Sequence, residues 1–194
     1  MGSNRNPLTR QEVLKAAMAC IERYGIAKTS MTDVGKALGV TRQTVHRIFE
    51  TRAELFAAIA EVRIEKLATR LTAEFQKFDC LEEALVEGSL MSLAAGRSDV
   101  ILTEIQQGGD HAVDQYMFRG SPKVQELMVA LWGPLIDAAR AQGRIKPEVS
   151  TEAAVAWIRN IHAMLTMRDD YRDNTNRNML QDFLVPSIMS HNSV

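Results

Sequence analysis

The sequence predicts an all-α protein with about nine to ten helices, and three observations predict this fold class. Apolar residues recur at helical spacing along most of the 194 residues. A capping box, in which each end residue pairs with an open backbone N–H group, precedes several of these segments, as in the first helix from Thr9-x-x-Glu12 to Gly25. No alternation of apolar and polar residues is long enough to predict a β-strand.

Two short helices and a tight turn are predicted between Ser30 and Arg52. Ser30 and Asp33 form a capping box, and Gly39 stands where a left-handed C-cap residue has no steric cost. Thr41 then caps the next helix. The apolar residues that can close one small core around this turn are Val34, Leu38, Val40, Val45 and Ile48. This pattern is typical of a helix-turn-helix, whose second helix enters the major groove of DNA.

A long helix follows the capping signal at Thr51–Glu54. At roughly 25 residues it would span about 37 Å, so we expect it to connect two regions of the protein. The rest of the chain predicts further helices. One of them starts at Pro122 and is disturbed by Pro134, one covers 151–168, and the last covers 179–189, with a polar loop before it.

Charge is distributed unevenly along the chain. Residues 1–52 contain nine Lys or Arg and four Asp or Glu, although the whole chain carries a net charge of −1. This asymmetry favours a basic end that meets phosphate, and a solvated basic face is the alternative. We therefore expect a helix-turn-helix domain at residues 1–52 and an acidic helical domain at residues 53–194.

Composition excludes several other classes. No apolar run approaches the roughly 18 residues that span a membrane, and the first ten residues lack the apolar stretch of a signal peptide. We therefore expect a cytoplasmic protein with no membrane partner. Cys20 and Cys80 lie far apart and outside any CxxC motif, so they fit small buried side chains better than metal ligands. The sequence predicts no cofactor and no metal site.

Residues 9–56 carry a longer pattern than a bare helix-turn-helix. Its members are Ala16-Ala17, Gly25, Thr29-Ser30-Met31, Val34, Leu38-Gly39-Val40-Thr41, Thr44, Phe49 and Leu55. Their order and spacing resemble the DNA-binding domain of the TetR family of transcriptional repressors.

Three positions depart from that family. Gly35 replaces the usual Ala, which predicts a looser helix because Gly costs about 0.5–1 kcal/mol there. His46 replaces a Tyr that commonly touches the DNA backbone, and Arg52 replaces the usual Lys.

The resemblance implies that the helix from Thr41 to Arg47 reads DNA. We expect Arg42, Gln43 and Thr44 to face base edges, since Arg pairs with guanine and Gln with adenine. The residues expected at phosphates are Thr29, Ser30, Thr41, His46, Arg47 and Arg52. The alternatives are that Ser30 and Thr41 are helix caps alone and that Arg47 is only a solvated charge.

The resemblance also implies a homodimer on a pseudo-palindromic operator in double-stranded DNA, released by a small apolar effector in the second domain. The dimer interface is expected on the apolar faces of the helices at 122–142 and 151–168, which include Leu127, Leu131, Leu135, Ala154, Ile158 and Leu165. The residues expected to line the effector pocket are Met91, Ile101, Leu102, Ile105, Tyr116, Phe118, Met128, Trp132 and His162. Core packing is the alternative for each, and His162 also fits a hydrogen-bonded core histidine.

Two other functions compete with this interpretation. His111 with Asp110 and Asp114, or with Glu104, suggests an enzyme or a metal site, but the chain has no HExxH motif, no phosphate-binding glycine loop and no nucleophile elbow. A helical small-molecule-binding protein without DNA binding is the second rival. Arg42, Gln43, Thr44 and Arg47, which are suited to DNA contacts, argue against this second rival. A transcriptional activator of the same fold fits the sequence as well as a repressor does.

Overall fold

The computed structural model describes residues 7–107, 121–166 and 173–190. Within these ranges the regular structure is helical, with one isolated antiparallel bridge between Ile145 and Met189, which confirms the predicted fold class. None of the helices in these ranges is both long enough and apolar enough to span a membrane.

The N-terminal helices are α1 (Arg10–Tyr24), α2 (Met31–Leu38), α3 (Arg42–His46) and α4 (Arg52–Phe75). The later helices are Leu81–Glu83, Ser89–Arg97, Val100–Gln107, Pro122–Ala141, Thr151–Thr166, Asp173–Met179 and Val185–Ile188. Two π-helical turns, Ala84–Gly88 and Leu180–Leu184, join neighbouring helices into longer helical stretches.

The described residues form two compact units. The first contains residues 7–63 and 99–107, and the second contains residues 64–98, 121–166 and 173–190. The long helix α4 therefore contributes its first half to one unit and its second half to the other. The sequence predicted a domain boundary at Arg52, whereas the compact units divide after Arg63, and the first unit also includes the Val100–Gln107 helix.

The first unit has an apolar core that α1, α2, α3 and the start of α4 share. Val13, Ala17, Val34, Val45 and Phe49 have no or almost no exposed surface. The predicted capping box of α1 is present, with Thr9 and Glu12 each accepting from the other's backbone N–H group. Hydrogen bonds from Thr9 hold the pKa of Glu12 below its ordinary value.

The core of the second unit surrounds Trp132, whose side chain has no exposed surface. Its ring meets the ring of Phe75 edge to face, with 4.7 Å between the centroids. The Pro122–Ala141 helix continues through Pro134, which lies on its exposed side, so the single long helix that the sequence predicted here is present.

The C-terminal helical stretch also differs from its prediction. Residues 173–178 are helical rather than part of a polar loop, and the helical stretch continues through Pro186, the second residue of the Val185–Ile188 helix. Arg177 of this stretch forms an ion pair with Glu87 of the first π-helical turn. Its guanidinium holds the pKa of the Glu87 carboxyl below its ordinary value.

Candidate nucleic-acid interface

The start of α2 is fixed by the capping box that the sequence predicted. The Ser30 hydroxyl accepts a hydrogen bond from Asp33 N at 3.3 Å, and the Asp33 carboxylate accepts from Ser30 N at 3.1 Å. The hydroxyl and backbone N–H group of Ser30 also hold the pKa of Asp33 below its ordinary value. Ser30 is therefore a helix cap, and its residue remains exposed.

The turn between α2 and α3 depends on two glycines. Gly39 has φ +67° and ψ 31°, the left-handed conformation that the sequence predicted for a C-cap. Gly35 is buried, and a Cβ atom at this position would lie 3.0 Å from the carbonyl oxygen of Val40. The sequence indicated a loose helix at Gly35, whereas the structure uses this glycine for the close approach of α2 to the turn.

The helix α3 is held on the core by its apolar residues and capped by Thr41. The Thr41 hydroxyl accepts from Thr44 N at 3.2 Å and lies 3.0 Å from the Thr44 hydroxyl. Val45 and Phe49 are fully buried, while Ile48 is half-buried. A helix anchored along one side by Val45 presents the residues beside it to solvent.

The exposed residues of this segment are the ones that the sequence predicted for DNA. Arg42, Gln43, His46 and Arg47 are exposed, and Thr44 is half-buried beside Thr41. Within the described part of the chain, the side chains of these four exposed residues form no hydrogen bond or ion pair, in contrast to the capping hydroxyls of Thr41 and Thr44. The first unit thus carries a short exposed row of two guanidinium groups, an amide and an imidazole.

Two residues predicted to contact phosphate have other partners. Thr29 is 2% exposed, and its hydroxyl donates to the carbonyl oxygen of Gly25 at 2.9 Å. Arg52 donates from Nη2 to the carbonyl of Ile26 at 2.6 Å and from Nε to the carbonyl of Thr29 at 3.0 Å. Because Thr29 is buried and its hydroxyl donates within the protein, this side chain has almost no exposed surface that a phosphate could contact.

The sequence did not identify Glu104 and Asp99 as parts of this unit. Glu104 accepts a hydrogen bond from Ile26 N at 3.0 Å across 78 residues of sequence. Asp99 forms an ion pair with Arg63 at 2.5 Å and caps the Val100–Gln107 helix by accepting from Leu102 N. A sequence-local signal existed for the Asp99 cap, since Asp is a favoured N-cap residue, but none existed for Glu104.

The residues predicted to line the effector pocket are divided between the two units. Ile101, Leu102 and Ile105 are buried in the first unit. In the second unit, Trp132 is fully buried, and Met91, Met128 and His162 are half-buried. Tyr116 and Phe118 lie outside the described residues, as do His111, Asp110 and Asp114 of the rival metal or acid–base cluster.

Among the predicted pocket residues that the structure describes, Trp132 and His162 are the pair whose rings are in contact. Their ring centroids are 6.0 Å apart, and both Trp132 Nε1 and His162 Nε2 are buried without a hydrogen-bond partner in the described part of the chain. Burial lowers the pKa of His162 to about 4, so its imidazole is neutral at neutral pH.

The apolar residues predicted for a dimer interface are mostly used within one chain. Leu131, Ala154, Ile158 and Leu165 are buried, whereas Leu127 and Leu135 are half-buried. The large apolar side chains of the second unit that are exposed are Trp157, Met164 and Phe183. Trp157 Nε1 donates to the Ser187 hydroxyl at 2.9 Å, which orients the exposed ring. Across the described ranges, no three His, Cys, Asp or Glu side chains are grouped so that they could hold a metal ion.

The sequence matches known proteins most clearly at the N-terminal end. Residues 13–59 match the family described as bacterial regulatory proteins, tetR family. A probable acrEF/envCD operon repressor of Escherichia coli K12 is 32% identical over 87 residues, covering 41% of this chain and 39% of the relative. The transcriptional regulator AcrR of Shigella flexneri is 32% identical over 68 residues, covering 35% of this chain and 31% of the relative. The aligned part thus spans about two fifths or less of the length of these relatives, which are named regulators and not enzymes.

Solved structures resemble the chain over most of its length. The repressor AlkX of Dietzia covers 96% of this chain and 97% of its own, with a TM-score of 0.66 and 21% identity. The regulator RolR, solved in complex with resorcinol, covers 92% and 86%, with a TM-score of 0.66 and 14% identity. At these identities the likeness extends to the fold. Residues 13–59 of this chain therefore match the tetR family of bacterial regulatory proteins, and the chain shares its fold with solved regulators over most of its length.

Proposed function

We propose that this protein is a ligand-responsive transcriptional repressor that binds a pseudo-palindromic DNA operator as a homodimer. The observation that carries this proposal is the exposed row of Arg42, Gln43, His46 and Arg47 on a helix anchored by buried Val45. A short helix with this chemistry has the donors that a major groove requires, since Arg and Gln each form paired hydrogen bonds with one purine.

Charge and exposure support a division of roles along this row. Arg42 and Gln43, at the start of α3, are assigned to base edges, because the N-terminal residues of a recognition helix reach furthest into the groove. His46 and Arg47 follow at its end and are assigned to phosphates. The nine Lys and Arg among residues 1–52 add a favourable field around this surface. Such a protein acts at the chromosome, hence in the cytoplasm.

A homodimer is proposed on the exposed apolar side chains of the second unit. Trp157, Met164 and Phe183 are 44%, 37% and 61% exposed, and they are the large apolar side chains that the described part of the second unit leaves exposed. Trp and Phe are enriched at interfaces between chains. These residues replace Leu131, Ile158 and Leu165 as interface candidates, since those three already pack within one chain.

The effector is proposed to be a small, uncharged and mainly apolar molecule that carries one hydroxyl or carbonyl group. The support is the pair of buried atoms Trp132 Nε1 and His162 Nε2, which have no partner in the described residues. Buried polar atoms are ordinarily hydrogen-bonded, so a polar group of the effector that reached both nitrogen atoms would form two hydrogen bonds. Burying an ionised group beside neutral His162 would instead be costly.

Selection of bound duplexes from a random pool tests the DNA-binding proposal. The full-length protein is expected to enrich a sequence with two related half-sites, and light scattering of the complex is expected to give two chains. A matched selection with Arg42→Ala is the control and should enrich that sequence less. Enrichment of no sequence, with binding of effector-like molecules retained, would instead support a helical ligand-binding protein without DNA binding.

A further inference from the structure

The connection between α1 and α2 is held by side chains that come from two distant parts of the chain. Glu104 Oε2 accepts from Ile26 N at 3.0 Å, while Arg52 Nη2 donates to Ile26 O at 2.6 Å. Arg52 Nε also donates to Thr29 O at 3.0 Å. Both polar backbone groups of Ile26 are therefore engaged by charged side chains, one acidic and one basic. We name the pair Arg52 and Glu104 the turn clamp.

The acidic half of the turn clamp has a fixed support. Glu104 lies on the Val100–Gln107 helix, whose first turn is capped by Asp99. Asp99 is 7% exposed and pairs with Arg63 of α4, so the helix is tied to α4 by a part-buried ion pair. Ile101 and Ile105 of the same helix are buried in the first unit. These contacts set the position from which Glu104 reaches Ile26 N.

The basic half of the turn clamp uses the shape of the arginine head group. The guanidinium of Arg52 lies 4.3 Å from the centroid of the Phe56 ring while its edge donates to two carbonyls. A planar group with donors in a fixed fork can do both, whereas a lysine ammonium is a single point of charge. Arg52 stands where the resemblance to the TetR family predicts a Lys. A Lys could not donate to the carbonyls of Ile26 and Thr29 with the same fixed geometry.

The position of the turn sets where α2 begins. Thr29, whose carbonyl Arg52 holds, directly precedes Ser30, the cap of α2. The helix α2 in turn carries the close contact of Gly35 with the turn into α3. A shift of Thr29 is therefore expected to move α2 and, through the close approach of Gly35 to Val40, the turn that leads into α3.

We propose that Arg52 and Glu104 are positioning residues, which act on DNA through the backbone of the α1–α2 turn and not through a phosphate. This proposal rests on the proposed DNA-binding function. It replaces the expectation that Arg52 contacts phosphate, and it makes the Val100–Gln107 helix a structural part of the DNA-binding unit. The competing role, a direct phosphate contact by Arg52, is retained as an outcome of the test.

The test is the salt dependence of binding to the duplex enriched from the random pool, measured by fluorescence anisotropy with full-length variants. Arg52→Lys keeps the charge and should lower affinity about tenfold, the equivalent of one lost backbone hydrogen bond to a charged group. Its slope of log affinity against log salt should equal that of the wild type. Arg47→Ala is the control for a phosphate contact and should reduce this slope by about one.

The Glu104 variants provide an independent arm. Glu104→Ala should lower affinity about tenfold with an unchanged salt slope, whereas Glu104→Gln should retain most of the affinity because its amide oxygen still accepts from Ile26 N. Wild-type affinity in both Arg52→Lys and Glu104→Ala would overturn the proposal. A slope reduced by about one in Arg52→Ala would overturn it as well, in favour of a phosphate contact.

Failure of the clamp and failure of the proposed function give different results. If the wild type bound no duplex, the proposed function would fail, yet hydrogen exchange of the Ile26 amide would still test the clamp. Faster exchange in Glu104→Ala than in Glu104→Gln supports it, and equal exchange in the two variants contradicts it. Circular dichroism of each variant shows whether the helices persist, so that an unfolded variant is not counted.

Discussion

The two compact units differ in how their polar groups find partners. In the first unit the helix caps Thr9, Ser30 and Thr41 bond to residues three positions away. In the described residues, all five buried side-chain polar atoms that lack a partner belong to the second unit. In the described part of the first unit, every buried side-chain polar atom thus has a hydrogen-bond partner. Its side-chain donors without a partner, such as those of Arg42 and Gln43, are exposed to solvent, where DNA can reach them. The second unit keeps unused polar atoms inside, and two of them, Trp132 Nε1 and His162 Nε2, are those of the proposed effector site.

The largest effect is expected from the core of the second unit. Trp132→Ala should lower the free energy of unfolding by about 3–5 kcal/mol, because the largest fully buried side chain is removed. Denaturant unfolding followed by circular dichroism measures it. Trp157→Phe is the control and should change stability by about 0.5 kcal/mol or less, since Trp157 is 44% exposed. Equal losses in both variants would contradict the assigned packing.

The second effect is a dependence of stability on pH that His162 confers. Burial lowers the pKa of His162 from 6.5 to about 4, so the unfolded chain binds a proton more readily between these values. Stability is therefore complete above the unfolded pKa and should fall by up to about 3 kcal/mol as the pH drops towards 4.

His162→Gln should flatten this decline, because Gln does not titrate. His46→Gln is the matched control, since His46 is exposed and its change should leave the decline in place. Unfolding curves recorded at a series of pH values measure the difference. A decline that is as steep in His162→Gln as in the wild type would show that the second unit does not hold a neutral buried histidine.

The third effect concerns base preference and belongs to the first unit. Gln43→Ala should relax the preference at one base pair of each half-site by about 1–3 kcal/mol, because a paired contact to adenine is lost. Binding to unrelated duplexes should change little. Competition binding with a panel of single-base variants measures the effect, and Arg47→Ala should weaken all members alike. If both variants lowered affinity uniformly, the proposed division of roles along α3 would be wrong.

The smallest effect is expected at the cap of α2. Ser30→Ala should cost about 1 kcal/mol, while Ser30→Thr keeps a hydroxyl and should cost less. The hydrogen bonds from Ser30 lower the pKa of Asp33, so the stability that they give to the folded chain is present above the ordinary Asp pKa. It is lost as the pH falls through the folded pKa. Thermal unfolding across acidic pH should therefore show a weaker pH dependence in Ser30→Ala, and an unchanged dependence would contradict the capping box.

The helix-turn-helix could be predicted from sequence because its determinants are local. Ser30, Asp33, Gly39 and Thr41 act on residues within a few positions, so their spacing alone predicts the caps and the turn. The buried positions of α3 followed from helical periodicity in the same way, as at Val45.

The turn clamp could not be predicted because its partners are distant in sequence. Glu104 meets Ile26 across 78 residues, and no periodicity or motif reports such a contact. Arg52 was predicted to contact a DNA phosphate, but its carbonyl partners depend on where the turn lies in three dimensions. Gly35 shows the same limit, since helix propensity indicates its cost while only the structure shows the close approach to Val40.

The second unit was predicted less well because one apolar pattern serves both a core and an interface. Leu131, Ile158 and Leu165 lie on apolar helix faces and were predicted at a dimer interface, yet they are buried within one chain. The exposed Trp157 and Phe183 became interface candidates only when the burial of each side chain was known. Helical spacing identifies the apolar face of a helix but not what covers it.

The most direct test of the central claim is methylation interference on the enriched duplex. If α3 lies in the major groove with Arg42 at a guanine, methylation of guanine N7, which lies in that groove, should block binding at one or more positions of each half-site. Arg42→Ala should lose this interference at the guanine that Arg42 contacts while keeping it elsewhere. Binding of the wild type that is unaffected by guanine N7 methylation throughout the duplex would contradict major-groove reading by α3.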